Sequence, residues 1–222
     1  MITFVDWQHS GKPSHKHMRD RGAWGDLNQN RSRLKLDGQI DIRELEAYWT
    51  GKLAFQIMWD CYARNMPSIL LGDGWYSNRA RRASAYVPRR EKAVLLALHF
   101  NALTGGLTKK SGDYGSIFYD YRSGEHNGPR LAGLMCQSLG RALPEVKRFK
   151  RIRATSKDWT RNAFSTIRGA PGNIIALCVE PAFIDQEDHR NVFTDSGIER
   201  MSEAIVTAIQ EFHNTRSQHG TN

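Results

Sequence analysis

The chain has 222 residues, 40% of them hydrophobic and 25% charged, which suits one α/β domain with a sizeable core and argues against global disorder. Its formal charge is +9 and its pI about 9.7, a balance that favours an anionic partner without choosing among nucleic acid, an acidic membrane and a wall polymer. No apolar run approaches the roughly 20 residues a bilayer needs, and the opening MITFVDWQHSG lacks the basic region, apolar stretch and small-residue cleavage site of an export signal.

The elements follow in chain order. ITFVDW (2–7) reads as a first strand. Residues 10–41 are polar, without period, and read as a long loop. Residues 44–64 carry apolar positions at Leu45, Trp49, Leu53, Phe55, Ile57 and Met58 and predict an amphipathic helix. SILLG (68–72) is a short strand, and 77–91 a basic helix or irregular segment broken near Pro88. VLLALHF (94–100) is the next strand, TGGLTKKSGDYG (104–115) a Gly-rich loop, and SIFYDY (116–121) a strand. A helix over 129–143 places Leu131, Leu134, Met135, Leu139 and Leu143 together, and RFKRIRA (148–154) reads as an edge strand. NIIALCVEPAF (173–183) is strongly apolar, and 197–214 is a last helix with Ile198, Met201, Ile205, Ala208, Ile209 and Phe212 in step. The tail over 215–222 is polar and predicted to be flexible.

Strands alternating with helices predict one domain over 1–222, a mostly parallel or mixed sheet of about six strands with helices on both faces. Cys61, Cys136 and Cys178 are odd in number, form no C-x-x-C pair and read as reduced core thiols. The basic clusters at Arg79–Arg90 and Lys147–Arg153 stand beside no RNP motif or zinc-finger spacing, so no nucleic-acid partner is expected. A solvated basic face is the plain reading of both.

Three apolar runs deliver chemistry at their far ends. The first leads to His9, the central one to His99 and the last to Glu180. In open α/β sheets, ligands bind at the carboxyl ends of the strands. If these strands are parallel neighbours, the three side chains converge. Two histidines and a carboxylate suggest zinc, which in catalytic sites keeps three protein ligands and one open position. A further carboxylate would then serve as general base, with Glu44 and Glu46 as candidates for the second acid. Each residue also has a structural reading: a satisfied core histidine for His99, a solvated turn for Glu180, a helix-dipole partner for Glu44 or Glu46. A buried carboxylate with no partner is costly.

Four segments, VDWQHSG (5–11), EAYWTGKLA (46–54), LALHFNA (96–102) and ALCVEPAFID (176–185), resemble the zinc-dependent N-acetylmuramoyl-L-alanine amidases of the family called Amidase_3. In that family a first strand ends in a histidine, a Glu opens the first helix in a pattern like E-x-x-x-N-L-x-x-A, and later segments read like S-I-H-x-N-A and L-V-E-x-G-F-I-S-N. Glu46 fits better than Glu44, because Ala54 then falls where the family has its Ala. The resemblance implies that His9, Glu46 and His99 hold Zn2+ and that Glu180 is the general base, then acid. The bond cut would join N-acetylmuramic acid to L-alanine of the stem peptide. It also implies contacts from Asn101, beside His99, and from Arg168, in FSTIRGAP ahead of the last strand.

This sequence departs from the family in three places, one of them the segment between Arg79 and His99, which is longer than usual and very basic. The 36 residues Ser10–Leu45 separate His9 from Glu46 and include His15 and His17, either of which is an alternative ligand. Ala182 stands for the family's Gly, and Asp185 and Gln186 for its Ser-Asn pair. No signal peptide and no wall-binding repeat is evident. A basic, monomeric wall hydrolase of this kind resembles a phage endolysin, kept in the host cytoplasm until lysis and then acting on the wall. Its positive charge would engage anionic wall or outer-membrane polymers. The alternatives are a zinc peptidase acting on another bond of the stem peptide, and a basic binding protein for nucleic acid or cell wall with a degenerate metal site.

Overall fold

The computed structural model describes residues 1–7, 46–71, 76–88, 91–101, 113–120, 127–154, 165–184 and 186–217. Six strands form one sheet: β1 (Ile2–Trp7), β2 (Ser68–Leu71), β3 (Ala93–Leu98), β4 (Gly115–Tyr119), β5 (Phe149–Arg153) and β6 (Ile174–Glu180). Their order across the sheet is β2-β1-β3-β6-β4-β5. β1 pairs in parallel with β2 and β3, and β3 with β6. β4 runs antiparallel to β6 and carries β5 parallel to itself on the outer edge. The helices are α1 (Glu46–Ala63), α2 (Tyr76–Ala85), α3 (Asn127–Ala142), α4 (Ser165–Arg168) and α5 (Asp195–Ser217), with a 3-10 turn at Glu187–Val192. The mixed, six-stranded α/β architecture expected from the sequence is the one observed.

The pleat explains why the central strands lack a polar face. Successive residues point to opposite sides, and here both sides are covered. Val94, Leu96 and Leu98 of β3, with Ile175, Leu177 and Val179 of β6, pack beneath α1, α3 and α5. Ala93, Leu95 and Ala97, with Ile174, Ala176 and Cys178, pack beneath α2 and α4. All six residues of β3 are buried. A doubly covered strand reads as a continuous apolar run, as parallel strands do.

Helix α1 buries Trp49, Leu53, Ala54, Ile57 and Cys61, spaced three or four apart so that they share one side. Phe55, counted with the apolar positions on sequence grounds, instead points outward and is 56% exposed. It follows Leu53 by two residues, which turns it well away from the buried stripe. The helix closes on Asn65 in the left-handed region, φ 56. There Met66 N–H reaches Cys61 O at 2.8 Å and Asn65 N–H reaches Tyr62 O at 3.0 Å, the paired bonds of a Schellman cap. Helix α5 runs on to Ser217, three residues into the segment expected to be flexible. The segment 10–41 and residues 218–222 lie outside the described residues, as does most of the Gly-rich segment 104–115.

One polar contact is buried in the α2-facing core. Arg79 of α2 donates to Asp6 Oδ1 at 2.6 Å and to the carbonyl of Trp7 at 2.8 Å. Both side chains are wholly inaccessible to solvent. The pair clamps the last two residues of β1 to α2. Removing one partner of such a pair strands the other charge, at a cost of about 3–5 kcal/mol. We expect Asp6→Ala to lose about that much stability in urea denaturation. The double variant Asp6→Leu/Arg79→Met should recover most of it. A single variant as stable as the parent would show that the clamp carries no stability.

Candidate active site

Three neighbouring parallel strands end on one edge of the sheet. The register sets Trp7 of β1 beside Leu98 of β3, and Leu98 beside Val179 of β6. His99 and Glu180 are therefore the next residues on adjacent strands. From β1 the chain goes on to β2 on one side, and from β3 to β4 on the other, so the edge between β1 and β3 is a topological switch point, where such sheets bind ligands.

Glu46 arrives at this edge from the first turn of α1. Its Oε1 lies 3.1 Å from His99 Nδ1 and accepts the N–H of Phe100 at 3.0 Å. Glu46 is 3% exposed and His99 is 5% exposed. The carboxylate is thus buried against one imidazole and one backbone amide, the partners a buried charge requires. Glu46 makes this contact; Glu44 lies outside the described residues.

Asn101 joins the two strand ends. Its backbone N–H donates to Ala182 O at 3.0 Å, and its carbonyl accepts Ile184 N–H at 2.9 Å. These bonds form an isolated parallel bridge between Asn101 and Phe183, beyond the regular strands. The side-chain Nδ2 donates to Glu180 Oε2 at 3.0 Å. A carboxylate accepts only, so Asn101 fixes one oxygen of Glu180 while its own backbone is held on both sides. Glu180 is half-buried. Gly115 opens β4 beside this turn, and a Cβ there would meet the Pro181 carbonyl at 2.6 Å and the Phe149 ring at 2.3 Å. Only glycine allows β4 to approach so closely.

Cys178 lies among these same acidic groups. Cys178, two residues before Glu180, is fully buried, and burial pushes its thiol well above the usual range. Glu180, Glu46 and Asp6 push it further. Three carboxylates from three elements thus act on one sulfur, and Cys178 is a free, buried thiol. Cys61 and Cys136 are also free, with burial raising each to about 11.

The remaining sequence candidates fall elsewhere. His9, His15 and His17 lie outside the described residues; β1, which leads to His9, ends at Trp7. Arg168 is exposed at the end of α4, ahead of the N-terminal end of β6, while Glu180 is at the other end. The structure does not bring Arg168 to Glu180. His189 had no signal in the sequence. It is fully buried in the 3-10 turn, and its Nδ1 accepts the N–H of Phe183 at 3.0 Å, fastening the turn that follows Glu180.

The donor set suits a metal. Ligands of one tetrahedral zinc, each bound at about 2.0–2.2 Å, stand roughly 3.3 Å apart. The 3.1 Å between His99 Nδ1 and Glu46 Oε1 is close to that spacing. Nitrogen and carboxylate oxygen are both zinc donors. Among the described residues no third ligating group joins them.

No protein-family model matches this sequence, and no curated protein matches it. The fold has relatives among solved structures. N-acetylmuramoyl-L-alanine amidase AmiC2 of Nostoc punctiforme superposes with a TM-score of 0.65 at 15% identity, over 96% of this chain and 97% of that one. The catalytic domain of CwlV, an N-acetylmuramoyl-L-alanine amidase from Bacillus (Paenibacillus) polymyxa var. colistinus, gives 0.66 at 14%, over 96% and 98%. The N-acetylmuramyl-L-alanine amidase Ami1 from Mycobacterium smegmatis gives 0.65 at 13%, over 97% of both chains. At these identities the likeness is one of fold, and this chain has the fold of those amidases along nearly its whole length.

His189 makes a pH prediction. Burial lowers its pKa below the ordinary 6.5, outweighing the opposing pull of Asp113 and Asp188. The unfolded chain therefore takes up a proton at a pH where the native chain does not. The stability that His189 contributes is present above about pH 6.5 and is lost as the pH falls below it. We expect the thermal midpoint to drop on acidification, and His189→Gln, which keeps an acceptor for Phe183 N–H, to flatten that part of the profile. Equal slopes in parent and variant would show that the ring titrates alike in the native and unfolded chains.

Proposed function

We propose that this protein is a zinc-dependent N-acetylmuramoyl-L-alanine amidase that cuts peptidoglycan. The observation that carries the reading is the meeting of Glu46 and His99 at the end of β3, with Glu180 held one strand away by Asn101. The shared fold with amidases of that activity supports it. In this reading Glu46 and His99 hold zinc, and His9, two residues beyond β1, supplies the third ligand.

When bound, zinc supplies Lewis acidity for the scissile carbonyl and for the attacking water. Glu180 takes the proton of that water and returns it to the nitrogen of L-alanine as the amide bond breaks. The hydroxyl stays on the lactyl carbonyl carbon, so one water is consumed and one acid and one amine are formed. Asn101 holds Glu180 Oε2 so that the carboxylate does not rotate away between the two transfers. Phe100 N–H donates to Glu46 Oε1 and gives the buried carboxyl group a partner.

The reading extends to biology. We propose an endolysin, retained inside the host bacterium until its membrane opens and then acting on the wall. The +9 charge supports attraction to anionic wall polymers. Cells expressing the chain should keep their turbidity until the membrane is permeabilised and clear afterwards; clearing that needs no permeabilisation would overturn this part.

The deciding experiment is mass spectrometry of peptidoglycan digested with and without chelator. The expected products are free stem peptides with a new L-alanine amine, formed only with metal present. Cuts elsewhere in the peptide would make the protein a stem-peptide peptidase; no products with metal present would overturn hydrolysis altogether. Glu180→Gln should lower turnover by about 10²–10⁴-fold while zinc content stays the same. His99→Ala should lose zinc, read by elemental analysis. Zinc loss on changing Glu180, with retention on changing His99, would reverse the two roles.

A further inference from the structure

The outward face of α1 carries an aromatic stripe. Phe55, Trp59 and Tyr62 are 56%, 65% and 76% exposed and follow one another at helical spacing. Among the described residues only one other large hydrophobic side chain, Tyr86, is exposed to this degree. Large exposed rings gathered on one face mark a binding surface more often than chance.

The stripe borders a groove of about 750 Å³. Trp7, Phe55 and Trp59 supply its flat apolar walls, and Lys52, Gln56 and Asp195 its polar ones. The Trp7 ring is set in place: its Nε1 donates to Ala47 O at 3.2 Å, and its edge meets Phe55 with centroids 5.6 Å apart. Gly51 makes this possible, since a Cβ there would fall 2.8 Å from the indole. Lys52 is ion-paired with Asp195, and Gln56 is anchored to Asp60 at 3.0 Å. The walls are therefore held before anything binds.

The chemistry points to a neutral sugar chain. A pyranose offers an apolar face of C–H bonds to the electron-rich face of an aromatic ring. Its hydroxyl and acetamido groups need donors and acceptors at the rim, which Gln56, Lys52 and Asp195 supply. Charge excludes an anionic polymer here. The cation at the wall is already neutralised by Asp195, and Glu199 adds a further negative group. On a chain of net charge +9, this groove is not where the positive potential lies. Position argues the same way. The groove starts at Trp7 and Ala47, directly beside Glu46, and the stripe continues to Tyr62, about 24 Å further along the helix at 1.5 Å per residue.

We propose that the Trp7–Phe55–Trp59 groove, extended by Tyr62, binds the N-acetylhexosamine chain of peptidoglycan and lays it along α1 next to the candidate active site. The identity of the polymer rests on the amidase reading above.

The test is calorimetric titration of the whole zinc-loaded chain with a neutral β-1,4-linked N-acetylglucosamine oligomer, which presents the same pyranose faces and acetamido groups without the free lactyl carboxylates of peptide-stripped strands. The parent should bind saturably. Trp59→Ala should bind about tenfold more weakly, the worth of one stacked ring, and Trp59→Ala/Tyr62→Ala more weakly still. Both residues are exposed, and unchanged melting will show that the variants fold. Equal affinity in parent and variants, or no binding by the parent, overturns the groove. So does sedimentation showing a dimer that Trp59→Ala dissociates, since the stripe is then a self-association surface. The two readings fail separately. Trp59-dependent binding with no stem peptide released keeps the groove and removes the amidase. Stem-peptide release with unaltered glycan affinity in Trp59→Ala does the reverse.

Discussion

A carboxylate buried at 3% exposure cannot stand alone, and Glu46 is provided for by a ring and an amide from another element. That contact fixes where α1 begins relative to the end of β3. The rest of α1 follows rigidly from it. Its inner stripe seals one face of the sheet through Leu53 and Ile57, and its outer stripe carries the aromatic rings away from the site. Opposite, Asn101 ties the end of β3 to the end of β6 through three hydrogen bonds, two backbone and one side chain. Asp6 and Arg79 pin the end of β1 to α2. Each of the three central strands is thus held at the edge where the candidate chemistry sits, by a different kind of bond.

Most of the architecture could be read from the chain because it rests on local pattern. The apolar runs of β3 and β6 are long and unbroken, and the periodic residues of α3 and α5 are buried as their spacing implied, apart from Leu134, which is partly buried. The strand-end logic that picked out His99 and Glu180, with the resemblance that chose Glu46, found groups the fold does bring together. What escaped depends on partners far apart in sequence. Arg79 looks like one of several arginines in a basic helix, yet its partner, Asp6, is 73 residues away. His189 accepts from a backbone amide, and nothing in its neighbours announces that. The reversal of β4 and β5 is set by their connections, not their composition. Phe55 was placed inward because it is apolar, whereas the stripe geometry of α1 decides which way it faces.

Charge is unevenly shared. The chain as a whole is strongly basic, while Glu46, Glu180 and Asp6 act together around Cys178 at the strand ends. Acidic groups thus gather at the strand ends of a basic body, with the Asp6 charge already met by Arg79.

The outer edge of the sheet deserves its own conclusion. Among the described strands β5 is at the edge of the sheet, with β4 as its neighbour, and an edge strand is the kind of template that recruits a second one. Its sequence is FKRIR, with Arg151 and Arg153 exposed and Lys150 resting over the Tyr114 ring. Two copies meeting edge to edge would bring like charges into register along the whole strand. The same residues that make this protein basic would therefore oppose edge-to-edge pairing of two copies at this strand.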